Sequence, residues 1–576
     1  MPYLKIYQSF RWRLAFLVLF FAIAFFAVIG RVFSLAIVNY RIYTTAAEKQ
    51  HSFSEILPPE RGKIFFQDTE GNLYPLAINK NFTTLTASPR DIEDPQKTAE
   101  VLAGRLKLDR AELEAKLTKK NDTYENIAKN ISDEDADFIK ELSIDGLDLN
   151  RDSRRTYPND SLGAGIIGFV SFDGQKENGE YGIERNFNGV LSGETGFFEG
   201  DRSAGTEGYL VALGKRILNP PVNGSNVVLT VDRNIQFKME EVLVGLFKKW
   251  NPESAAGVVL DPVTGKILAL SSLPSFNPNE YSKEKDYSVF RMPIIDSQFE
   301  LGSVFKPITM AAGVNEGVVK PDTTYLDSGM VKFGSYTIKN FDEKGHGVQT
   351  MTQVLEKSLN TGAVYVEKLL GQERFAEYVK RFGFGEKSGI DFPNEVAGNI
   401  ANLKSGRDIE FATASFGQGI AVTPIQMASA IGAIANGGVM MKPYIVDKII
   451  DDAGNETVFA PEKKGEAINK ETAETITRML VSTVRIGYEN RAGVKGYFVA
   501  GKTGTAQVPL KDKRGYSTDV VHTFVGYAPA FHPRFLVLLQ LTRPTGNRFA
   551  ANTMTSPFHD LAEFILNYYK VPPDEK

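Results

Sequence analysis

The longest apolar run lies near the start of the chain. Leu14–Gly30 is almost entirely apolar and rich in Phe and Leu, Arg31 interrupts it, and Val32–Val38 continues it. As a helix, Leu14–Gly30 is about 25 Å long, and the extension to Val38 brings it to about 37 Å. That is enough to cross a bilayer, with Arg31 reaching to the interface. Lys5, Arg11 and Arg13 precede the run, and positive charge on that side favours a cytoplasmic N-terminus. The run is longer than the apolar core of a signal peptide, and no small-x-small site directly follows it. An uncleaved, single-pass anchor over residues 14–38 is expected, with 1–13 as a cytoplasmic tail and everything after about residue 40 outside the cell membrane. No second long apolar run follows.

Beyond the anchor the periodicity is mixed. Phe65–Asn72 and Phe82–Thr86 read as strands, Asp94–Lys119 alternates apolar and charged positions as one or two surface helices, and Asp133–Leu142 as another. Gly163–Gly200 is glycine-rich and reads as loops and hairpins. Asn223-Gly224-Ser225 is a turn signal and marks a boundary. After it, Val227–Val231 reads as a strand, Asp232 as the cap of an amphipathic helix over Asn234–Lys248, and Ala256–Leu260 with Lys266–Ser271 as a hairpin turning through Asp261-Pro262-Val263-Thr264-Gly265. Ser303–Gly313 reads as a helix. Thr350-x-x-Gln353 is a capping box opening another that ends near Ser358, Asn360-Thr361-Gly362 reads as a loop, and Ala363–Leu370 resumes helically. Tyr497–Ala500 continuing through Thr505, Phe524–Tyr527 and Phe535–Leu541 read as strands, and Ser556–Tyr569 as a closing helix. The fold class is α+β and multi-domain: 39–225 a non-catalytic module, 226–570 an antiparallel sheet flanked by helices with an all-helical subdomain, and 571–576 a tail.

Composition narrows the chemistry. The 576 residues are 42% hydrophobic and 24% charged, with a net charge of −4, which describes a globular chain without the basic excess of a nucleic-acid binder. Cysteine is absent, so disulfides and thiolate metal sites are excluded. Five histidines without a His-x-x-x-His pattern argue against a zinc hydrolase. Neither a metal nor a cofactor is expected.

The candidate chemistry centres on Gly302-Ser303-Val304-Phe305-Lys306-Pro307. On a helix, residues three apart share a face. A serine hydroxyl needs a base to act as nucleophile at neutral pH, and a desolvated lysine can serve. Ser303 at a helix start also lies near backbone N–H groups without helical partners, which favour developing negative charge. Ser-x-x-Lys alone is a weak signal. It gains weight from Ser358-Leu359-Asn360 and from Lys502-Thr503-Gly504-Thr505 downstream, since Ser-x-x-Lys, Ser-x-Asn and Lys-Thr-Gly in that order are the elements of serine penicillin-recognising enzymes.

On these motifs the chain resembles the class B penicillin-binding proteins, the membrane-anchored DD-transpeptidases that cross-link peptidoglycan. Arg61-Gly62-Lys63-Ile64, Arg155-Thr156-Tyr157-Pro158, Gly182-Ile183-Glu184 and Leu191-Ser192-Gly193 resemble the family's N-terminal pedestal. Leu229-Thr230-Val231-Asp232, the Asp261–Gly265 turn and Ser415-Phe416-Gly417-Gln418-Gly419 resemble parts of its catalytic module. The resemblance covers roughly residues 15–565. It implies Ser303 as nucleophile, Lys306 as base, Ser358 as proton relay, Asn360 as a ligand of the lysine and of the substrate amide, and Lys502 as a charge that lowers the lysine's pKa. Thr503, Gly504 and Thr505 line the substrate strand, the threonine hydroxyls meeting a carboxylate. The backbone N–H groups of Ser303 and Thr505 form the oxyanion hole. Arg61 and Glu184 are expected in structural salt links.

The implied partners are peptidoglycan stem peptides, β-lactams, a membrane-embedded glycan polymerase and other divisome proteins, with no nucleic acid. Ser415–Ile420 and Asn360 look more like the division (septal) branch than the elongation branch. An elongation enzyme, an idle scaffold and a β-lactam sensor are the alternatives. No separate wall-binding module is expected after residue 570. Two departures stand out. Leu301 replaces the proline of the family's Glu-Pro-Gly, which should alter loop stiffness. Glu395-x-x-x-Asn399 is similar in spacing to the deacylating glutamate of β-lactamases, although a surface turn after Pro393 is the plainer reading.

Overall fold

The central strands in the second half of the chain are continuous apolar runs buried on both faces, as in Phe535–Thr542. The computed structural model describes residues 3–40, 52–172, 177–201, 216–510 and 515–575, and within them two compact units: 1–60 with 193–223, and 61–192 with 224–576. In the first, helix Tyr3–Phe33 runs into a single π turn, Ser34–Val38. Trp12–Val38 is long and apolar enough to span a membrane. The same unit holds a three-stranded antiparallel sheet of Ser52–Leu57, Gly196–Asp201 and Arg216–Asn219.

The second unit contains a five-stranded antiparallel sheet ordered Ile267–Leu273, Ser254–Leu260, Phe535–Thr542, Tyr516–Ala528, Ala500–Pro509. The Ala500–Pro509 strand is therefore an edge. On one face, helices Arg233–Trp250 and Thr555–Tyr568 pack Ile235, Met239 and Leu243 with Phe558, Leu561 and Ile565 against Val537 and Leu539. Asp232 caps the first of these helices, accepting from the N–H groups of Asn234 and Ile235 at 2.8 and 3.1 Å. The opposite face carries the apolar helix Pro424–Ala435 and helices Lys306–Asn315 and Lys470–Ser482. Thr350 and Gln353 form the expected capping box at the head of Met351–Glu356.

A second, seven-stranded sheet contains Ile64–Gln67, Leu73–Ala87, Glu125–Ile131 and Leu147–Thr156, and continues through Asn226–Asp232 and Val446–Ile450 to Glu456–Val458. Asn226–Asp232 pairs parallel with Ile64–Gln67 and antiparallel with Val446–Ile450, so hydrogen bonding runs across the boundary read at residue 225. Buried Glu184 holds this region, accepting from Arg61 Nε and Nη2 at 2.8 and 2.6 Å and from Arg155 Nε at 2.7 Å. Two guanidinium groups on one carboxylate offset the cost of burying it.

Several boundaries differ from the sequence reading. The strand read as Phe65–Asn72 is the shorter Ile64–Gln67, because Asp68 turns the chain, accepting from the N–H groups of Glu70 and Asn72. Phe82–Thr86 is the end of one long strand, Leu73–Ala87. Gly163–Gly200 holds a hairpin, Phe169–Phe172 with Glu177–Glu180, and also three short helices, Ala164–Ile167, Gly182–Asn186 and Asn188–Leu191. Residues 173–176 of that stretch lie outside the described residues, as do 1–2 and 41–51 of the expected tail and module and 576 of the C-terminal tail. The helix read to begin at Ala363 begins at Asn360. Tyr497–Val499 precede the edge strand without joining it, and the Phe498 N–H instead bonds Asp574.

Candidate active site

Ser303 does not open an α-helix. It lies in a 3₁₀ turn, Gly302–Phe305, and the α-helix begins at Lys306. In a 3₁₀ turn residues i and i+3 eclipse, so the turn serves the Ser303–Lys306 pair better than the helix start read from the sequence. Proline at 307 occupies the first turn of the helix that follows, where it breaks no hydrogen bond. Gly302 has φ +61, and a Cβ there would come within 2.9 Å of the Thr505 carbonyl, which excludes other residues on both conformational and steric grounds. Its N–H donates to the Gly417 carbonyl, and Thr309 Oγ1 donates to the Ser415 carbonyl at 2.7 Å. The Ser415–Gly419 stretch thereby braces the turn. Leu301, in place of proline, is buried, so packing holds the position that ring rigidity would otherwise hold. Before it, Tyr516 OH donates to Glu300 at 3.0 Å, and burial pushes the Glu300 carboxyl up from its ordinary value.

Ser303 is half-buried, whereas Lys306 is 1% exposed. Burial first, and then the positive charge of Lys502, hold the Lys306 amine well below the usual lysine range. Lys306 Nζ donates to the Ser358 carbonyl at 2.5 Å and lies 3.2 Å from Ser358 Oγ. Lys502 Nζ reaches the same Oγ at 3.0 Å. The Ser358 hydroxyl thus bridges two lysines that are far apart in sequence. It is placed there by a left-handed backbone at Ser358, φ +57, between helices Met351–Glu356 and Asn360–Leu370. Such a conformation is costly for serine and turns Ser358 out of the helical course.

Lys502, Thr503, Gly504 and Thr505 follow one another on the edge strand. Lys502 is fully buried, and Gly504 lies so close to the Ser303 turn that a Cβ would be 2.4 Å from the Leu301 carbonyl. Thr505 Oγ1 accepts from the Ala550 N–H at 3.0 Å, which leaves the hydroxyl proton for another acceptor. Asn360 departs from expectation. Its Nδ2 donates to the Lys339 carbonyl at 2.9 Å, a bond to the neighbouring hairpin and not to Lys306. Glu395 accepts from the N–H and hydroxyl of Ser388 and from the Gly389 N–H. It is engaged in a local turn, which removes the β-lactamase comparison. Tyr488, whose hydroxyl touches both Lys502 and Thr503, was not legible in the sequence because it belongs to none of the three motifs. Among the described residues no cluster of His, Cys, Asp and Glu could hold a metal ion.

A turn carrying a half-buried serine, a desolvated amine, a bridging hydroxyl and an edge strand with a buried ammonium are the parts a serine acyltransferase needs. Residues 255–561 match the penicillin binding protein transpeptidase domain, and 56–229 the penicillin-binding protein dimerisation domain. The chain belongs to the penicillin-binding protein transpeptidases of class B. It is 35% identical to stage V sporulation protein D of Bacillus subtilis, over 95% of this chain and 84% of that one. It is 27% identical to peptidoglycan D,D-transpeptidase FtsI of Escherichia coli, over 98% and 93%. Penicillin-binding protein 3 of Mycobacterium tuberculosis, solved in complex with aztreonam, superposes with a TM-score of 0.69 at 26% identity, covering 90% of this chain and 98% of the other.

Proposed function

We propose that this transpeptidase cross-links peptidoglycan stem peptides during septal wall synthesis, with Ser303 as nucleophile. It would be anchored by Trp12–Val38 with its catalytic part outside the cytoplasm, 39–225 serving as pedestal and 226–570 as catalytic module. The observation that carries the reading is the Lys306–Ser358–Lys502 bridge beside the Ser303 turn, two buried lysines joined by a half-buried hydroxyl. Ser303 Oγ attacks the carbonyl of the penultimate D-alanine of a stem peptide, and its proton passes to the neutral Lys306 amine. Lys306, through the Ser358 hydroxyl, returns that proton to the departing amine, and D-alanine leaves. The amine of a neighbouring stem then attacks the ester, its proton goes to Lys306, and Ser303 regains its own. The N–H groups of Ser303 and Thr505 hold the oxyanion at each step, a contribution of about 3 kcal/mol per donor. Lys502, Thr503 and Thr505 hold the terminal carboxylate, and Asn360 orients the substrate amide. β-Lactams acylate Ser303 by the same route.

The septal assignment rests on Asn360 and the Ser415–Ile420 stretch. It carries with it a membrane-embedded glycan polymerase and divisome proteins as partners. A fluorescent fusion expressed from the native locus tests it. Mid-cell recruitment, with filaments on depletion, is the expected result. Lateral-wall recruitment with rounded cells would assign the enzyme to elongation.

A further inference from the structure

Behind Lys502 and Thr503 stands a phenol that belongs to none of the three motifs. Tyr488 follows a π turn, Thr483–Gly487, that ends helix Lys470–Ser482. Single π turns inside or at the end of α-helices re-aim side chains and recur at functional sites. This one is tied to the element that presents Ser358, because Ser482 Oγ donates to Glu356 Oε1 at 2.5 Å, two residues before Ser358. The Tyr488 ring packs in the second core beside Phe524, centroids 6.2 Å apart, and the residue is 4% exposed. Its hydroxyl lies 3.1 Å from Lys502 Nζ, 2.8 Å from the Thr503 backbone N and 2.9 Å from Thr503 Oγ1.

Counting protons assigns each contact. The Lys502 ammonium has three N–H bonds and three acceptors: Ser358 Oγ at 3.0 Å, Tyr488 OH at 3.1 Å and the Thr503 carbonyl at 3.1 Å. Without the phenol, one proton of a fully buried ammonium would lose its acceptor. The phenol oxygen acts as an acceptor towards both Lys502 and Thr503, taking the ammonium N–H of one and the backbone N–H of the other. The Thr503 hydroxyl is the third donor, giving its own proton to the phenol oxygen. That bond holds the Thr503 side chain against the phenol, beside the Lys502 ammonium. The phenol also occupies the outward N–H of Thr503. Residues two apart on a strand present their N–H groups to the same edge, so Thr505 is the next such donor and stays open.

We infer that Tyr488 is a positioning residue of the acylation site. It fixes the Lys502 ammonium against Ser358 and holds the Thr503 side chain beside it, on the strand that meets the carboxylate of the acyl donor. The inference rests on the transpeptidase reading of the site. It goes beyond that reading in assigning carboxylate recognition to a phenol that never touches the substrate.

The test uses full-length protein in detergent, wild type and Tyr488→Phe, acylated by benzylpenicillin and by its methyl ester, which lacks the carboxylate charge. The phenyl ring preserves the packing against Phe524, so melting temperature checks the fold. The expected result is a loss of roughly 10- to 100-fold in the second-order acylation constant for benzylpenicillin, the scale of a hydrogen bond to a charged group. The methyl ester should change less than about 3-fold, with melting nearly unchanged. Equal losses for acid and ester would make Tyr488 a general structural support, and wild-type rates for both would leave the phenol without a role. Either outcome overturns the inference. If wild-type protein itself is not acylated, the reading of the site falls and this inference with it. That case is recognised without the variant.

Discussion

At the scale of single residues, the site turns on one amine. Lys306 is buried among apolar neighbours and faces the charge of Lys502, and both push its pKa down, burial the more. A neutral amine can take the Ser303 proton, and a charged one cannot. The acylation rate is therefore expected to rise with pH through a limb centred well below 10.5, the ordinary lysine value. Replacing Lys502 by Met removes the neighbouring charge and moves that limb to higher pH. Lys306→Met should cost about 10²- to 10⁴-fold in acylation, the usual contribution of a general base. Stability carries the same sign. The unfolded chain protonates Lys306 at pH values where the folded chain does not, so this residue makes folding more favourable as pH rises towards 10.5. Lys306→Met should therefore gain most over wild type in mildly acidic buffer. Stopped-flow acylation and melting, each against pH, check these expectations. Ser303, Lys306, Ser358 and Lys502 were all legible as motif members. The Tyr488 contact was not, because no local pattern encodes a side chain that reaches a strand through tertiary packing. The Asn360 bond to Lys339 was hidden for the same reason.

At the scale of elements, the site is a meeting of a 3₁₀ turn, a helix junction and a sheet edge. Sequence patterning located all three, and it failed where tertiary contacts set the element type. Ser303 was read into a helix because apolar positions continue helically to Gly313. The Gly302 conformation and the Gly417 carbonyl instead hold the first turn in 3₁₀ form. Asn360 was read into a loop because Asn-Thr-Gly is a turn signal, yet Thr361 is buried against Asp327, its Oγ1 donating at 2.8 Å, and the helix starts there. The contact between turn and edge strand has no spare room at Gly504. Gly504→Ala must displace the strand from the Ser303 turn, and displacements near 1 Å cost about 10²-fold in positioned reactions. Penicillin acylation is expected to fall by about that factor with the fold retained. Unchanged acylation would show that the strand does not approach the nucleophile as closely as the structure has it.

At the scale of the molecule, the α+β class and the apolar N-terminal helix were readable from composition and periodicity. The sheet that runs across residue 225 was not. Parallel pairing of Ile64–Gln67 with Asn226–Asp232 joins strands about 160 residues apart, and local patterns say nothing of such pairings. The Arg61–Glu184–Arg155 cluster was readable only in part, since Arg155 was noted for its motif and not as the second partner of Glu184. These long-range links tie the pedestal strands to the sheet that reaches Val446–Ile450. The measurement that bears most directly on the whole account is covalent labelling of the full-length protein by a fluorescent penicillin, with Ser303→Ala alongside. Stoichiometric labelling of wild type, lost in a Ser303→Ala variant that melts at the same temperature, is the predicted result. A folded wild-type protein that takes no label, or a Ser303→Ala variant that still does, would contradict it.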